Sequence, residues 1–127
     1  MIRNITRKTI LSENETYCVS AGANMHGLMF SDGSAFRKGK RAMVLVFNKT
    51  QRIALHMWFV FYPIDVVFTD EHYEIVDIKQ DFLPFTFYTS AKRAAYAVEL
   101  PAGTAKRTKT KVEDVLSFSS PPVSDIR

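Results

Sequence analysis

Two side chains in the most apolar stretch of the chain have the chemistry of an acid and a base, His56 and Asp65. Alternation along a strand from Ile53 to Tyr62 places His56 beside Trp58, as a base, a ligand or a core histidine. Asp65 follows Pro63 in an apolar strand, where a buried carboxylate must be hydrogen-bonded, paired or protonated. We predict that Asp65 fixes a turn by accepting backbone N–H groups, with an acid in a pocket as the alternative. An enzyme using Asp65 and His56 requires both side chains in one cleft. Strand alternation does not decide this, because a bend at Pro63 changes which face each side chain occupies.

Glu99 and the segment Gly27 to Met29 are further candidates for lining a ligand pocket. Glu99 stands between Val98 and Leu100, and in a strand it faces away from both. Its side chain then points to solvent, to a lysine such as Lys92 or into the mouth of a barrel. The segment Gly27 to Met29 forms either a corner of the core or the wall of an adaptable pocket, because methionine fits irregular surfaces. The pocket candidates are Gly27, Leu28, Met29, His56, Trp58, Pro63, Asp65 and Glu99.

The cysteine and histidine content argues against a metal site or an intrachain disulfide. Cys18 is the only cysteine, and His26, His56 and His72 have no spacing that a helix or strand would focus on one ion. The chain also has no nucleophile elbow, phosphate-binding glycine loop or cofactor fingerprint. We therefore predict no metal, no cofactor and no assigned catalytic residue.

The net charge of +4 is unevenly distributed. Basic residues concentrate between Arg37 and Arg52 and again between Lys106 and Lys111, whereas the segment Asp65 to Asp81 is acidic. Two basic loops could attract a polyanion such as nucleic acid, but the favoured interpretation is solvated loop charges that keep a phenylalanine-rich protein soluble. Few aromatic rings accompany these charges, so base stacking has little support. The polyanion candidates are Arg37, Lys38, Lys40, Arg41, Lys106, Arg107 and Lys109.

Length and composition favour one globular domain. The 127 residues are 46% hydrophobic and 24% charged, and two separate cores would each be too small to bury enough surface. We predict a domain over residues 1–118 and a flexible tail over residues 119–127. No run approaches the roughly 20 apolar residues of a membrane-spanning helix, and early basic residues interrupt any signal sequence. The expected compartment is the cytoplasm, without a membrane partner.

The elements needed to position these residues are mostly strands. Apolar runs bounded by turn residues predict an α+β fold dominated by a mainly antiparallel, barrel-like β-sheet of about eight short strands, with one or two short helices. The first two strands are predicted to form a hairpin, and Asn48 to Gln51 is predicted to be a turn. Predicted strands are Ile5–Leu11, Thr16–Val19, Ala42–Phe47, Ile53–Tyr62, Ile64–Thr69, Tyr73–Lys79, Phe85–Tyr88, Tyr96–Leu100 and Val112–Phe118; predicted helices are Ser20–Phe30 and a turn within Thr104–Thr110.

Four motifs in a fixed order give a family resemblance over most of the chain. The run LHMWFVFYPIDVVF from Leu55 to Phe68 resembles the signature of the domain of unknown function 192 family, in the form of its archaeal members. Gly27 to Phe30, Pro84-Phe85 and the segment Val98 to Gly103 follow the same family pattern. One departure is Val112-Glu113-Asp114, where the family often has Val-Gly-Asp. The resemblance implies a fold and prominent positions but no activity.

These observations predict a non-catalytic binding module for a small molecule or an extended peptide. Nucleic-acid binding through the basic loops is the first alternative, and an enzyme using Asp65 and His56 is the second.

Overall fold

Strands dominate the part of the chain that the computed structural model describes, which comprises residues 1–19, 42–57 and 62–119. The elements are β1 (Ile2–Asn4), β2 (Thr9–Ser12), β3 (Glu15–Val19), β4 (Ala42–His56), β5 (Ile64–Thr69), β6 (Ile75–Phe82), β7 (Phe87–Pro101), helix α1 (Thr104–Arg107) and β8 (Leu116–Phe118). The predicted helix Ser20–Phe30, the following loop and the tail beyond residue 119 lie outside the described residues.

The strands form two sheets, one with the order β3-β4-β7-β5-β6 and one with the order β2-β1-β8. All neighbouring pairs are antiparallel except β3 and β4, which are parallel. The predicted mainly antiparallel β fold is confirmed, but the ladders of the described strands do not close into a barrel. β6 and β7 are not neighbours in the sheet, and a side chain links them. The carboxylate of Asp77 in β6 accepts the N–H of Ala91 (2.7 Å) and the hydroxyl of Tyr88 (2.6 Å), both in β7.

The two central strands are longer than predicted, because bulges replace two expected breaks. β4 and β7 each contain 15 residues. The predicted turn at Asn48 to Gln51 is wrong, since β4 continues through it with a shift of register between Val46 and Gln51. Polar residues in that segment resemble a turn locally, but pairing with β7 on both sides keeps the segment extended and absorbs the extra residues as a bulge.

The predicted N-terminal hairpin is wrong in its pairing. β2 pairs with β1, whereas β3 pairs in parallel with β4, an arrangement that no tight turn can join. The chain turns inside the predicted strand Ile5–Leu11, where the side chain of Asn4 accepts the N–H of Arg7 at 3.0 Å. Such a side-chain bond competes locally with the extended conformation. In contrast, β5 has the predicted bounds, and α1 lies within the predicted helical segment.

Both faces of the five-stranded sheet are covered by apolar side chains. The first face, which carries Met43, Leu45 and Val66, belongs to one buried cluster. The second face, which carries Val44, Val67 and Val98, packs against the smaller sheet in another. All six residues of β5 are buried. Polar residues in β5 and in the second half of β7 are therefore buried on whichever face they point to.

Candidate functional site

Glu99 is a buried carboxyl on the first face of the sheet. It lies in β7, with Met43 of β4 and Val66 of β5 directly beside it. The side chain is 9% exposed and makes no hydrogen bond to the described residues. Of the orientations predicted for Glu99, the one toward solvent is therefore wrong, because both faces of the second half of β7 are covered. Burial raises the pKa of Glu99 to about 8, so the carboxyl is mostly protonated at pH 7 and offers one donor and one acceptor.

Solvent reaches the first face beside Glu99. Met43, its neighbour across the β4–β7 ladder, is also 9% exposed, whereas the adjacent Leu45, Val66 and Ala97 are fully buried. The environment of the carboxyl is thus apolar on β4, on β5 and on its own strand, and Met43 and Glu99 keep a slight exposure of 9% each.

Asp65 is buried on the second face and has a different environment. Its Oδ1 accepts the N–H of Asp81 at 3.0 Å, and its Oδ2 accepts the N–H groups of Gly103 (3.1 Å) and Ala105 (2.9 Å). The carboxylate therefore anchors backbone, as the sequence suggested. The N–H groups, however, come from the end of β6 and the start of α1 rather than from a turn beside Pro63.

The structure does not bring His56 and Asp65 together. His56 is half-buried and lies opposite Phe87 near the start of β7, whereas Asp65 lies opposite Leu100 near its end. Pro63 is exposed at the beginning of β5. The remaining pocket candidates, Gly27, Leu28, Met29 and Trp58, lie outside the described residues.

A basic cleft of about 430 Å³ opens beside α1. Of the predicted polyanion candidates, Lys106 and Lys109 line this cleft, whereas Arg107 does not. Arg37, Lys38, Lys40 and Arg41 lie outside the described residues. The lining is completed by Arg7, Gln80, Ala105, Thr110 and Lys111. Arg7 was missed because it joins the cleft through a tertiary contact with a segment about a hundred residues away in the sequence.

A buried carboxylate, Asp114, holds one wall of this cleft. It accepts the side-chain N–H of Arg7 at 3.0 Å, an amide N–H of Asn4 at 2.9 Å and the backbone N–H of Lys111 at 2.9 Å. Burial alone would raise the pKa of Asp114, but these hydrogen bonds outweigh it and hold the pKa below its ordinary value. Thr110 is fixed in the same network, through Asn4 and through the hydroxyl of Thr108.

The described part of the chain has neither a cluster of metal ligands nor a membrane-spanning helix. Its His, Cys, Asp and Glu side chains form no group of three or more that could hold a metal ion. Nor does any helix within residues 1–19, 42–57 and 62–119 have the length and apolar character to cross a membrane.

Known proteins resemble this chain in both sequence and fold. The family model of DUF192, Uncharacterized ACR, matches residues 13–118. A UPF0127 protein of Pyrococcus horikoshii is 30% identical over 88 residues, which are 68% of this chain and 76% of the relative. A crystal structure from Sinorhizobium meliloti 1021, described as a proposed transcription regulator, has a TM-score of 0.73 at 26% identity, covering 81% of this chain and 79% of that one. Another, of a protein of unknown function from Novosphingobium aromaticivorans, has a TM-score of 0.73 at 18% identity, covering 82% and 74%. The chain therefore belongs to the DUF192 family of uncharacterised proteins.

Proposed function

We propose that this domain is a binding module for a small, mainly apolar molecule whose polar group is received by Glu99. The observation that carries the proposal is a buried carboxyl to which no described residue offers a hydrogen bond. A carboxyl that is mostly buried and has no protein partner has only limited access to water, so a ligand that supplies a hydrogen-bond partner there is favoured.

The surroundings of Glu99 define the kind of ligand that fits. Its neighbours on the first face, Met43, Val66 and Ala97, carry no charge and favour an apolar molecule. A protonated carboxyl donates one hydrogen bond and accepts another, which suits an uncharged carbonyl, amide or hydroxyl group. The exposure of Met43 and Glu99 is only 9% each, which favours a small molecule over an extended peptide.

The enzyme hypothesis has less support. Both oxygens of Asp65 accept backbone N–H groups, so this carboxylate is occupied in holding the chain. His56 lies against a different part of β7 and does not bond to it. This separation of His56 from Asp65 gives the enzyme hypothesis no support from that pair.

Nucleic-acid binding is supported by Lys106, Arg107 and Lys109 and by the description of the Sinorhizobium meliloti relative as a proposed transcription regulator. However, no aromatic side chain lines the basic cleft within the described part of the chain, and stacking platforms are usual where single strands bind. This candidate is therefore second to the small-molecule module.

A thermal-shift screen of uncharged small molecules at about pH 6.5 tests the proposal. We expect ligands that raise the melting temperature, with an affinity about tenfold lower at about pH 9, because Glu99 ionises through its pKa of about 8. Glu99→Gln keeps a neutral donor and acceptor, so its affinity should be equal at both pH values. Glu99→Leu should lose binding.

The matched control is Glu74→Gln, which removes an exposed carboxyl just before β6. It should leave both the affinity and its pH dependence unchanged. If no compound stabilises the protein, or if every stabilising compound binds Glu99→Leu as well as it binds the wild type, Glu99 is not the ligand-binding group.

A further inference from the structure

We propose that the basic cleft is a second binding site, specific for a small anion that bears one or more phosphate groups. The site is independent of Glu99, because it is built from α1, the segment that follows it, β6 and the β1–β2 turn. The two sites also differ in charge, since basic side chains line the cleft and the neighbours of Glu99 are uncharged.

The charges of the cleft are almost unopposed. Four basic side chains line it, and none of its lining residues is acidic. Lys106, Lys109 and Lys111 are exposed and form no ion pair with the described residues. Cations held around one concavity repel one another and create a positive potential that attracts an anion. A doubly charged phosphate group would relieve this repulsion.

Arg7 is oriented to contribute a directed contact. It binds Asp114 through Nε, at 3.0 and 3.2 Å from the two carboxylate oxygens. Its two terminal amino groups make no hydrogen bond with the described residues. Because guanidinium matches phosphate geometry through paired N–H donors, Arg7 can hold Asp114 with one edge and an anion with the other. Asp114 offsets only one of the four positive charges.

The walls of the cleft are fixed before any ligand arrives. Asp65 holds the N–H of Ala105, and Asp81 follows the lining residue Gln80 and is bound by the same carboxylate. On the other side, Asp114 holds the N–H of Lys111, and the N–H of Thr110 donates to the carbonyl of Ala105 at 2.9 Å. A preformed site loses less conformational entropy on binding. The buried carboxylates Asp65 and Asp114 therefore support this site from below, and neither lines it.

The dimensions favour a small ligand over a polymer. A volume of about 430 Å³ lies within the range of roughly 300–1,000 Å³ that is typical of small-molecule sites. Gln80 and Thr110 add neutral polar groups to the lining, as expected where a phosphate ester must be oriented. Arg107 is on the same helix as Lys106 but does not line the cleft. The cleft therefore contains only some of the basic side chains of this segment.

Isothermal titration of the full chain with inorganic phosphate, inorganic pyrophosphate and glycerol 3-phosphate tests the proposal. We expect at least one of these probes to bind, with pyrophosphate favoured if the cleft takes two phosphate groups. Lys106→Gln and Lys109→Gln should each weaken binding by about tenfold, the usual effect of one hydrogen bond to a charged group. Arg107→Gln is the matched control, because it removes the same charge from the same short segment, and it should have little effect. Melting curves verify that each variant is folded.

Three results would overturn the proposal. The first is that none of the probes binds at millimolar concentration. The second is that Arg107→Gln weakens binding as much as the lysine variants do, which would indicate nonspecific attraction to the surface. The third is that a single-stranded oligonucleotide binds with a steep dependence on salt and is not displaced by pyrophosphate, which would assign the basic region to nucleic acid.

Discussion

Two buried carboxyls on adjacent strands of one sheet have opposite surroundings. Asp65 meets three backbone N–H groups, whereas Glu99 meets apolar side chains and no hydrogen-bond donor among the described residues. Burial alone therefore does not decide what a carboxyl does. The number of donors around it distinguishes a residue that stabilises the fold from one that is left to interact with a ligand.

The role of Asp65 predicts an unusual sensitivity to an isosteric change. Both of its oxygens accept N–H groups, so Asp65→Asn must turn its own N–H₂ group toward a backbone donor. We expect the free energy of unfolding in urea to fall by about 3 kcal/mol or more.

Asp70→Asn is the matched control for this prediction. Both N–H groups that Asp70 accepts, from His72 and Glu74, bind the same oxygen, Oδ1, which an amide retains. Its unfolding free energy should change by no more than about 0.5–1 kcal/mol. Equal effects of the two substitutions would contradict the anchoring role of Asp65.

The sequence could indicate that Asp65 needs partners but not which partners it has. A carboxylate in an apolar run must be satisfied, and this rule requires no knowledge of the fold. The donors at Gly103 and Ala105, however, are about forty residues away in sequence. For Glu99 the alternation along the strand gave the correct side, opposite to Val98 and Leu100. Whether that side is covered depends on strands β4 and β5, which a single strand's pattern does not report.

At the scale of elements, the turn before β8 places a glutamate in a backbone conformation that favours glycine. Glu113 has a φ of 81°, in the left-handed region that glycine adopts without strain. It stands where the family often has the glycine of Val-Gly-Asp. The N–H of Glu113 still donates to the carbonyl of Ile75 at 2.8 Å, so the turn remains joined to β6.

This strain predicts a stabilising substitution. Glu113→Gly should relieve the left-handed penalty, and after the greater entropy of glycine in the unfolded chain is subtracted, the free energy of unfolding should rise by about 0.5–1 kcal/mol. Val112→Gly is the control, because Val112 does not have a positive φ and its substitution should be destabilising. A lower melting temperature for Glu113→Gly would show that the glutamate stabilises this turn.

The elements that could be predicted are those whose local signals agree with their tertiary environment. β5 is an apolar run between Pro63 and Asp70, and its bounds match the prediction. The break predicted at Asn48 to Gln51 fails because pairing with β7 overrides the local turn preference. Parallel pairing of β3 with β4 could not be inferred from either strand, since both have an ordinary strand composition.

At the scale of the whole molecule, the two ends of the described chain are joined. β1 pairs with β8, and the N–H of Ile5 donates to the carbonyl of Val115 at 3.0 Å. Asp114 adds side-chain bonds from Asn4 and Arg7, each more than a hundred residues away in the sequence. The smaller sheet and the basic cleft therefore depend on the same carboxylate.

Asp114 should accordingly contribute much of the stability of this junction. Asp114→Asn removes the ion pair with Arg7 and places an amide where one oxygen accepts three N–H groups. At pH 7 we expect the free energy of unfolding to fall by about 3 kcal/mol, measured by urea denaturation.

The pH dependence of that difference identifies its source. Hydrogen bonds hold the pKa of Asp114 below its ordinary value, so its contribution is complete above the pKa of the unfolded chain and is lost as the pH falls through the lower folded value. The gap between wild type and Asp114→Asn should thus be constant near neutral pH and should narrow in acid, below about pH 4. Asp81→Asn, which alters an exposed carboxyl, should show a gap of no more than about 0.5 kcal/mol at neutral pH. A gap for Asp114→Asn that persists unchanged in acid would mean that the substitution acts through packing, because protonation of the wild-type carboxyl would then remove nothing.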